Sequence, residues 1–161
     1  MRGFTLIELL VTITIVILVT GMSLSAYLTF NEIREIDVDV RSFLTLMSKI
    51  RAKAVFLEYP EGCTGLTGYA IQLVEDNSGD LNSVKYYASC AEGNIGEVTE
   101  KILGNSVFDS VLGFTFTPIT GSITDGEDKT VNVLSTNNSG RSKRVTIGAN
   151  MDSGNQVTNN E

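Results

Sequence analysis

Apolar positions crowd out all others near the start of the chain. Residues 9–31 are 23 positions without a charge, enough to cross a hydrocarbon core of about 30 Å as a helix. Glu8 stands alone at the edge of this run, where a carboxylate is costly and therefore points to function. From residue 32 the pattern becomes one-sided. Ile36, Val40, Phe43, Leu44, Met47, Ile50, Ala54 and Leu57 recur at helical spacing, while Arg34, Arg41, Lys49 and Lys53 fall off the stripe. No proline interrupts until Pro60. The spacing predicts one helix over about residues 5–58, roughly 80 Å long at 1.5 Å per residue. Its first half (4–31) would be transmembrane, and its second half (32–59) an amphipathic continuation lying on a globular domain.

Beyond Pro60 the pattern shortens to strand-like runs punctuated by turn residues. Residues 69–74 and 84–89 read as two strands joined by a turn at 76–80. Further strands are expected at 98–103, 113–117, 131–136 and 144–147. Asn137-Asn138-Ser139-Gly140 has the composition of a hairpin turn. Residues 60–149 thus form a β-rich globular domain, and the polar stretch 150–161 is expected to be a disordered tail. The expected class is α+β, a long N-terminal helix packed on an antiparallel β-sheet.

A secretory signal has an apolar core of about 7–15 residues ending in a small-residue cleavage site. Here the run is longer, and the candidate site Ser23-Leu24-Ser25-Ala26 is followed by Tyr27, Leu28 and Phe30. The residues around the lone acid are more specific. Gly3-Phe4-Thr5-Leu6-Ile7-Glu8-Leu9-Leu10 resembles the class III leader of type IV pilins and type II secretion pseudopilins. That resemblance implies a leader of residues 1–3, cleavage between Gly3 and Phe4 by a prepilin peptidase, and N-methylation of Phe4. It also implies that Glu8 meets the amine of Phe4 on a neighbouring subunit during assembly, near the helix N-terminus that favours an anion. The implied partners are the peptidase, other pilin or pseudopilin subunits in a helical filament, and an inner-membrane assembly platform. The implied location is the cytoplasmic membrane, crossed once with the globular domain outside, and then the filament. Arg2 before the span and Glu32, Glu35, Asp37 and Asp39 after it agree with that orientation.

Two further stretches bear on the resemblance. Many pilins carry a proline in the membrane half with a helix-weakening glycine upstream; the matching positions here are Ser25 and Ile17. Gly21 is the weak point, worth about 1 kcal/mol relative to alanine. In the distal half, residues 114–121, Ser139-Gly140-Arg141 and residues 144–147 resemble the GspH/FimT-type minor pilin domain.

Composition narrows the function classes. A formal net charge of −7 argues against general nucleic-acid binding. The absence of histidine removes the commonest general base and metal ligand, and there is no GxSxG elbow. A structural protein without cofactor is expected, not an enzyme. Cys63 and Cys90 could form a disulfide in an extracytoplasmic setting, worth ~3–4 kcal/mol in the chain-entropy treatment, or be two free buried thiols. Asp76-x-Ser78-x-Asp80-x-Asn82 alternates oxygen ligands as a calcium loop does, but Leu81 and Tyr87 occupy the loop glycine and bidentate glutamate places. A hairpin turn explains the same residues, as a solvated turn explains the acidic loop Asp125-Gly126-Glu127-Asp128. Arg141, Lys143 and Arg144 are a basic cluster that could meet DNA phosphates, as in a minor tip pilin binding DNA or a surface, or simply line a solvated turn. Asn137-Asn138-Ser139 matches a glycosylation pattern and equally a turn. A plain signal-anchored extracytoplasmic domain is the remaining alternative.

Overall fold

The structure is a computed structural model that describes residues 5–137 and 140–160, with the backbone alone for 22–26 and 160. The leader, Gly3 and Phe4 lie outside the described residues, as do Asn138 and Ser139 of the expected turn. One helix, α1 (Leu6–Val55), runs through two compact units, Met1–Arg34 and Glu35–Glu161.

Among the described residues, the first unit is helix. Every described side chain from residue 6 to 21 is exposed, so nothing in the unit covers its leucines, isoleucines and valines. The hydroxyls within this run are turned back on the helix. Thr12, Thr14 and Thr20 donate to the carbonyls of Leu9, Leu10 and Val16 at 2.7–2.8 Å, which leaves apolar methyls outward. Among the described residues, no helix is long and apolar enough to cross a membrane; the uncharged run of the sequence continues through residues 22–26, whose side chains are not described.

In the second unit α1 buries Ile36, Val40, Phe43, Met47, Ile50 and Ala54, the stripe expected from helical spacing. Leu46 joins them, while Leu44 packs at the margin. The helix stops three residues earlier than expected because the chain turns left-handed at Leu57 (φ 53°). The Glu58 amide donates to the Lys53 carbonyl (3.0 Å) and the Leu57 amide to the Ala54 carbonyl (3.3 Å). These two bonds satisfy carbonyls that a helix end leaves open, the Schellman arrangement, here without glycine. The Tyr69 hydroxyl donates to the Glu58 carbonyl (2.6 Å), tying that end to the first strand.

Among the described residues eight strands follow: β1 (Leu66–Glu75), β2 (Leu81–Cys90), β3 (Gly93–Lys101), β4 (Ser106–Phe108), β5 (Gly113–Phe116), β6 (Lys129–Ser135), β7 (Ser142–Ile147) and β8 (Asn155–Asn160). They form two four-stranded sheets rather than the single expected sheet, in the orders β3-β2-β1-β5 and β4-β6-β7-β8. All pairings are antiparallel. β5 runs four residues along β1, and Phe116 touches the segment beyond Pro118, which lacks an N–H for a ladder, by one bridge to Ile123. β6 then pairs with β4 and β7. Both sheets and α1 share one core, in which Phe43 meets Phe108 edge-on at 5.0 Å between ring centroids.

The expected disordered tail at 150–161 is corrected by β8, which pairs with β7 along its whole length in unbroken register. Its residues are polar because it lies at the margin of its sheet, where a strand is held by backbone bonds with little core contact. β4 was also missing from the expectation; three residues are too few to show an alternation. Cys63 and Cys90 are joined, with Cα atoms 5.7 Å apart, so the free-thiol alternative does not hold.

Candidate assembly site

Glu8 lies in the first turn of α1. Thr5 stands just before the helix, and its Oγ1 donates to Glu8 Oε2 at 3.5 Å. Thr5-Leu6-Ile7-Glu8 has the T-x-x-E spacing of a capping box, a signal the sequence reading passed over. The threonine holds the carboxylate beside the helix start, where unpaired amides and the helix dipole favour negative charge. Around it Leu6, Ile7, Leu9, Leu10 and Val11 are all exposed. The site is thus one acid on an otherwise apolar, uncovered rod, and its expected counterpart, Phe4, lies outside the described residues.

The basic cluster is divided rather than gathered. On β7, Lys143 shares the strand face of buried Val145 and Ile147 and pairs with Asp37 of α1. Arg144 points to the opposite face, where its Nε donates to Asn132 Oδ1 at 3.4 Å. Arg141 precedes the strand, and its carbonyl accepts from the Ser135 amide at 3.1 Å. Strand alternation thus directs Lys143 and Arg144 away from each other, so they do not form one phosphate-facing patch.

The calcium-like loop is a braced turn. Asp76 accepts from the amides of Ser78 (2.7 Å) and Asp80 (3.3 Å), from Asn82 Nδ2 (2.8 Å) and from Lys101 Nζ (3.0 Å). The Asn82 and Lys101 bonds, then that of Ser78, hold its carboxyl well below the usual carboxylate range. Both oxygens are therefore occupied by donors of the protein. Among the described residues no group of three His, Cys, Asp or Glu side chains could hold a metal. The acidic loop at 125–128 is likewise used internally. Asp125 pairs with Lys129, and Asp128 accepts from the Ala149 amide at 2.6 Å.

Two buried charges escaped the sequence reading. Asp39 accepts from the Gly104 and Asn105 amides (3.0 and 3.2 Å), and Arg51 stacks over Phe116. Asp39 broke the apolar pattern at a position between Ile36 and Val40. That intrusion was the available signal.

Comparison with known proteins bears on both ends of the chain. Residues 1–24 match the family model described as the prokaryotic N-terminal methylation motif. No curated protein matches the chain. Among solved structures, a crystal structure of the Pseudomonas aeruginosa (strain PAO1) type IV minor pilin FimU, in space group P21, is similar at a TM-score of 0.53 and 14% identity. The likeness covers 82% of this chain and 92% of that one. A second crystal form of the same protein, P65, gives 0.48 and 13%, over 76% and 90%. At such identity the P21 likeness concerns the fold, a helix followed by antiparallel sheets. Residues 1–24 thus carry a prokaryotic N-terminal methylation motif, on a chain whose fold is similar to that of a type IV minor pilin.

Proposed function

We propose that the chain is a structural subunit of a type IV filament, of the minor-pilin kind, stored in the membrane and assembled through its N-terminal helix. The observation that carries this reading is the union of two features. A methylation motif leads directly into a helix whose described side chains from 6 to 21 are uncovered on every side. Such a surface requires lipid or other helices around it. The run is also rich in Val, Ile and Thr, which favour helix weakly in water. Where water is absent, a helix satisfies every backbone group internally. The threonine back-bonds remove the remaining hydroxyl cost.

In this reading residues 4–31 form the span and the β-rich unit lies outside the cytoplasm. A prepilin peptidase removes residues 1–3, Phe4 becomes the methylated N-terminus, and the subunit leaves the membrane through the assembly platform. Glu8 is too costly to bury alone. The Phe4 amine of a neighbouring subunit neutralises it and so sets axial register. The minor-pilin assignment is favoured over a secretion pseudopilin by the name of the structural neighbour, a type IV minor pilin.

Intact mass of the membrane-extracted protein tests the processing step. Loss of residues 1–3 with gain of one methyl is expected, and an uncut chain overturns the reading. Glu8→Ala should leave the protein in the membrane but absent from sheared filaments; normal incorporation would refute the register role.

A further inference from the structure

Left-handed backbone favours glycine, and a bulky residue there carries strain that function can retain. Among the described residues two that are not glycine adopt it, Leu57 (φ 53°) and Ile119 (φ 68°). Both are large and apolar, and both amides donate to one acceptor, the Ala54 carbonyl near the end of α1 (3.3 and 3.2 Å). Their side chains gain little burial in return. Ile119 is 69% exposed, and Leu57 and its neighbours Phe56 (81%) and Tyr59 are exposed as well. The end of the helix is thus an apolar knob held out of the core. It is followed by Glu61, an exposed acid with no ion pair among the described residues. Uncovered apolar clusters of this kind mark contact surfaces.

The same unit carries a groove that matches the knob. It encloses about 450 Å³ between α1 and the end of β3. Val38 (54% exposed), Leu46 and Ile102 give it an apolar floor, and Arg41 and Lys49 stand along it on the helix. Both cations are exposed, and neither is ion-paired among the described residues. Each other lysine of the chain is ion-paired. On a chain of net charge −7, two idle cations beside bare apolar surface stand out. Glu100 is the one acid that lines the groove.

We infer that the groove of one copy receives the knob of a second copy of this chain. Phe56 covers the floor of Val38, Leu46 and Ile102, Glu61 meets Arg41 and Lys49, and the Tyr59 hydroxyl donates to Glu100. An inorganic anion would leave the floor bare, and an anionic lipid headgroup would face Glu100. The second copy answers both the charge and the apolar surface, with groups that are exposed on each side. Groove and knob occupy different stretches of α1, so the contact is head-to-tail rather than two-fold. Each added copy leaves one groove and one knob free, and the contact propagates. The inference stands on the globular unit alone and does not depend on N-terminal processing or on Glu8.

The test uses the full chain in detergent micelles, with the Cys63–Cys90 disulfide intact and a short bismaleimide as crosslinker. Val38→Cys mixed with Phe56→Cys should give dimers at least about tenfold faster than Val38→Cys mixed with Val111→Cys, because a docked pair holds its thiols together. Val111 is exposed too, but lies beside Leu73 at the far end of β1. Val38→Cys and Phe56→Cys in one chain should give a ladder of multimers. Glu61→Lys in the Phe56→Cys chain should slow the reaction about fivefold, as expected when exposed ion pairs turn repulsive. Arg41→Glu with Lys49→Glu in the Val38→Cys chain should then restore it. All these positions are exposed, so the fold does not depend on them. A rate no higher than with Val111→Cys, no effect of Glu61→Lys, or no rescue by the reversed groove overturns the inference. So does shielding of Val38→Cys by phosphatidylglycerol without crosslinks, which would assign the groove to lipid.

Discussion

Replacing Asp39 by alanine should destabilise the globular unit by about 2–3 kcal/mol. The carboxylate retains 7% of its accessible surface and accepts from two consecutive amides, Gly104 at 3.0 Å and Asn105 at 3.2 Å. These amides lie on the connection between β3 and β4, which also carries the fully buried Leu103. The Asn105 carbonyl in turn accepts from the amide and hydroxyl of Thr136 (3.2 and 2.9 Å). Asp39 therefore fastens the helix to the point where the chain passes from one sheet to the other. Its loss strands two amides, each worth ~1–3 kcal/mol when left without an acceptor. Recovery of the carboxylate's own desolvation offsets part of that sum. Asparagine keeps one acceptor and turns an NH₂ toward the second amide, so Asp39→Asn should cost about half as much. Asp37→Ala, two residues away, removes a more exposed ion pair with Lys143 and should cost about 1 kcal/mol or less. Urea unfolding of the full chain in detergent, followed by near-ultraviolet circular dichroism of the tyrosines, measures all three; the chain has no tryptophan. An Asp39→Ala variant within ~0.5 kcal/mol of the parent, or no worse than Asp37→Ala, would refute this assignment.

Three further outcomes are expected. Cys63 and Cys90 are 27 residues apart, so Cys63→Ser with Cys90→Ser should lower stability by ~3–4 kcal/mol; a loss under ~1 kcal/mol in the urea midpoint analysis would contradict the chain-entropy argument. Because hydrogen bonds from Asn82 and Lys101 depress the Asp76 carboxyl in the folded state, its contribution is fully present above about pH 4, the unfolded value, and is lost as pH falls further. Asp76→Asn should flatten stability against pH in that acid range, and an unchanged slope would exclude Asp76 as a source of acid lability. At Gly121 (φ +62°) an added Cβ would lie 2.7 Å from Val55 Cγ2, so Gly121→Ala should cost about 1–3 kcal/mol, and an unchanged Tm would show that the turn yields freely.

What could be read beforehand followed from periodicity. The stripe from Ile36 to Ala54 needs no partner to be recognised, because helical spacing recurs over many turns. The β1–β2 hairpin was legible from two apolar runs around Asp76-Asn77-Ser78-Gly79-Asp80. The division into two sheets was not, since it depends on which strand finds which edge, a long-range choice that the local pattern around Pro118 only hints at. At the N-terminus, the leader-like residues around Glu8 were legible as the methylation motif that residues 1–24 match. The T-x-x-E spacing of Thr5 and Glu8 was equally legible there, but it lies inside the leader-like residues and was absorbed into that resemblance. In the distal unit, the grouping of Arg141, Lys143 and Arg144 in sequence misled, because strand alternation sends neighbours to opposite faces. Arg51 escaped for the opposite reason. A long cation among helix residues reads as solvent-facing until packing shows Phe116 beneath it.

The last strand also bears on solubility. β8 is Asn155-Gln156-Val157-Thr158-Asn159-Asn160, short and without charge or proline, and it contributes little to the core. Its pairing covers the backbone donors and acceptors of β7, which carries the fully buried Val145 and Ile147. Trimming the chain after residue 154 would uncover a strand flanked by core residues, the kind of open edge that recruits other chains into aggregates. β8 thus shields the core-flanked β7, and a version trimmed after residue 154 should be stickier than the chain that carries β8.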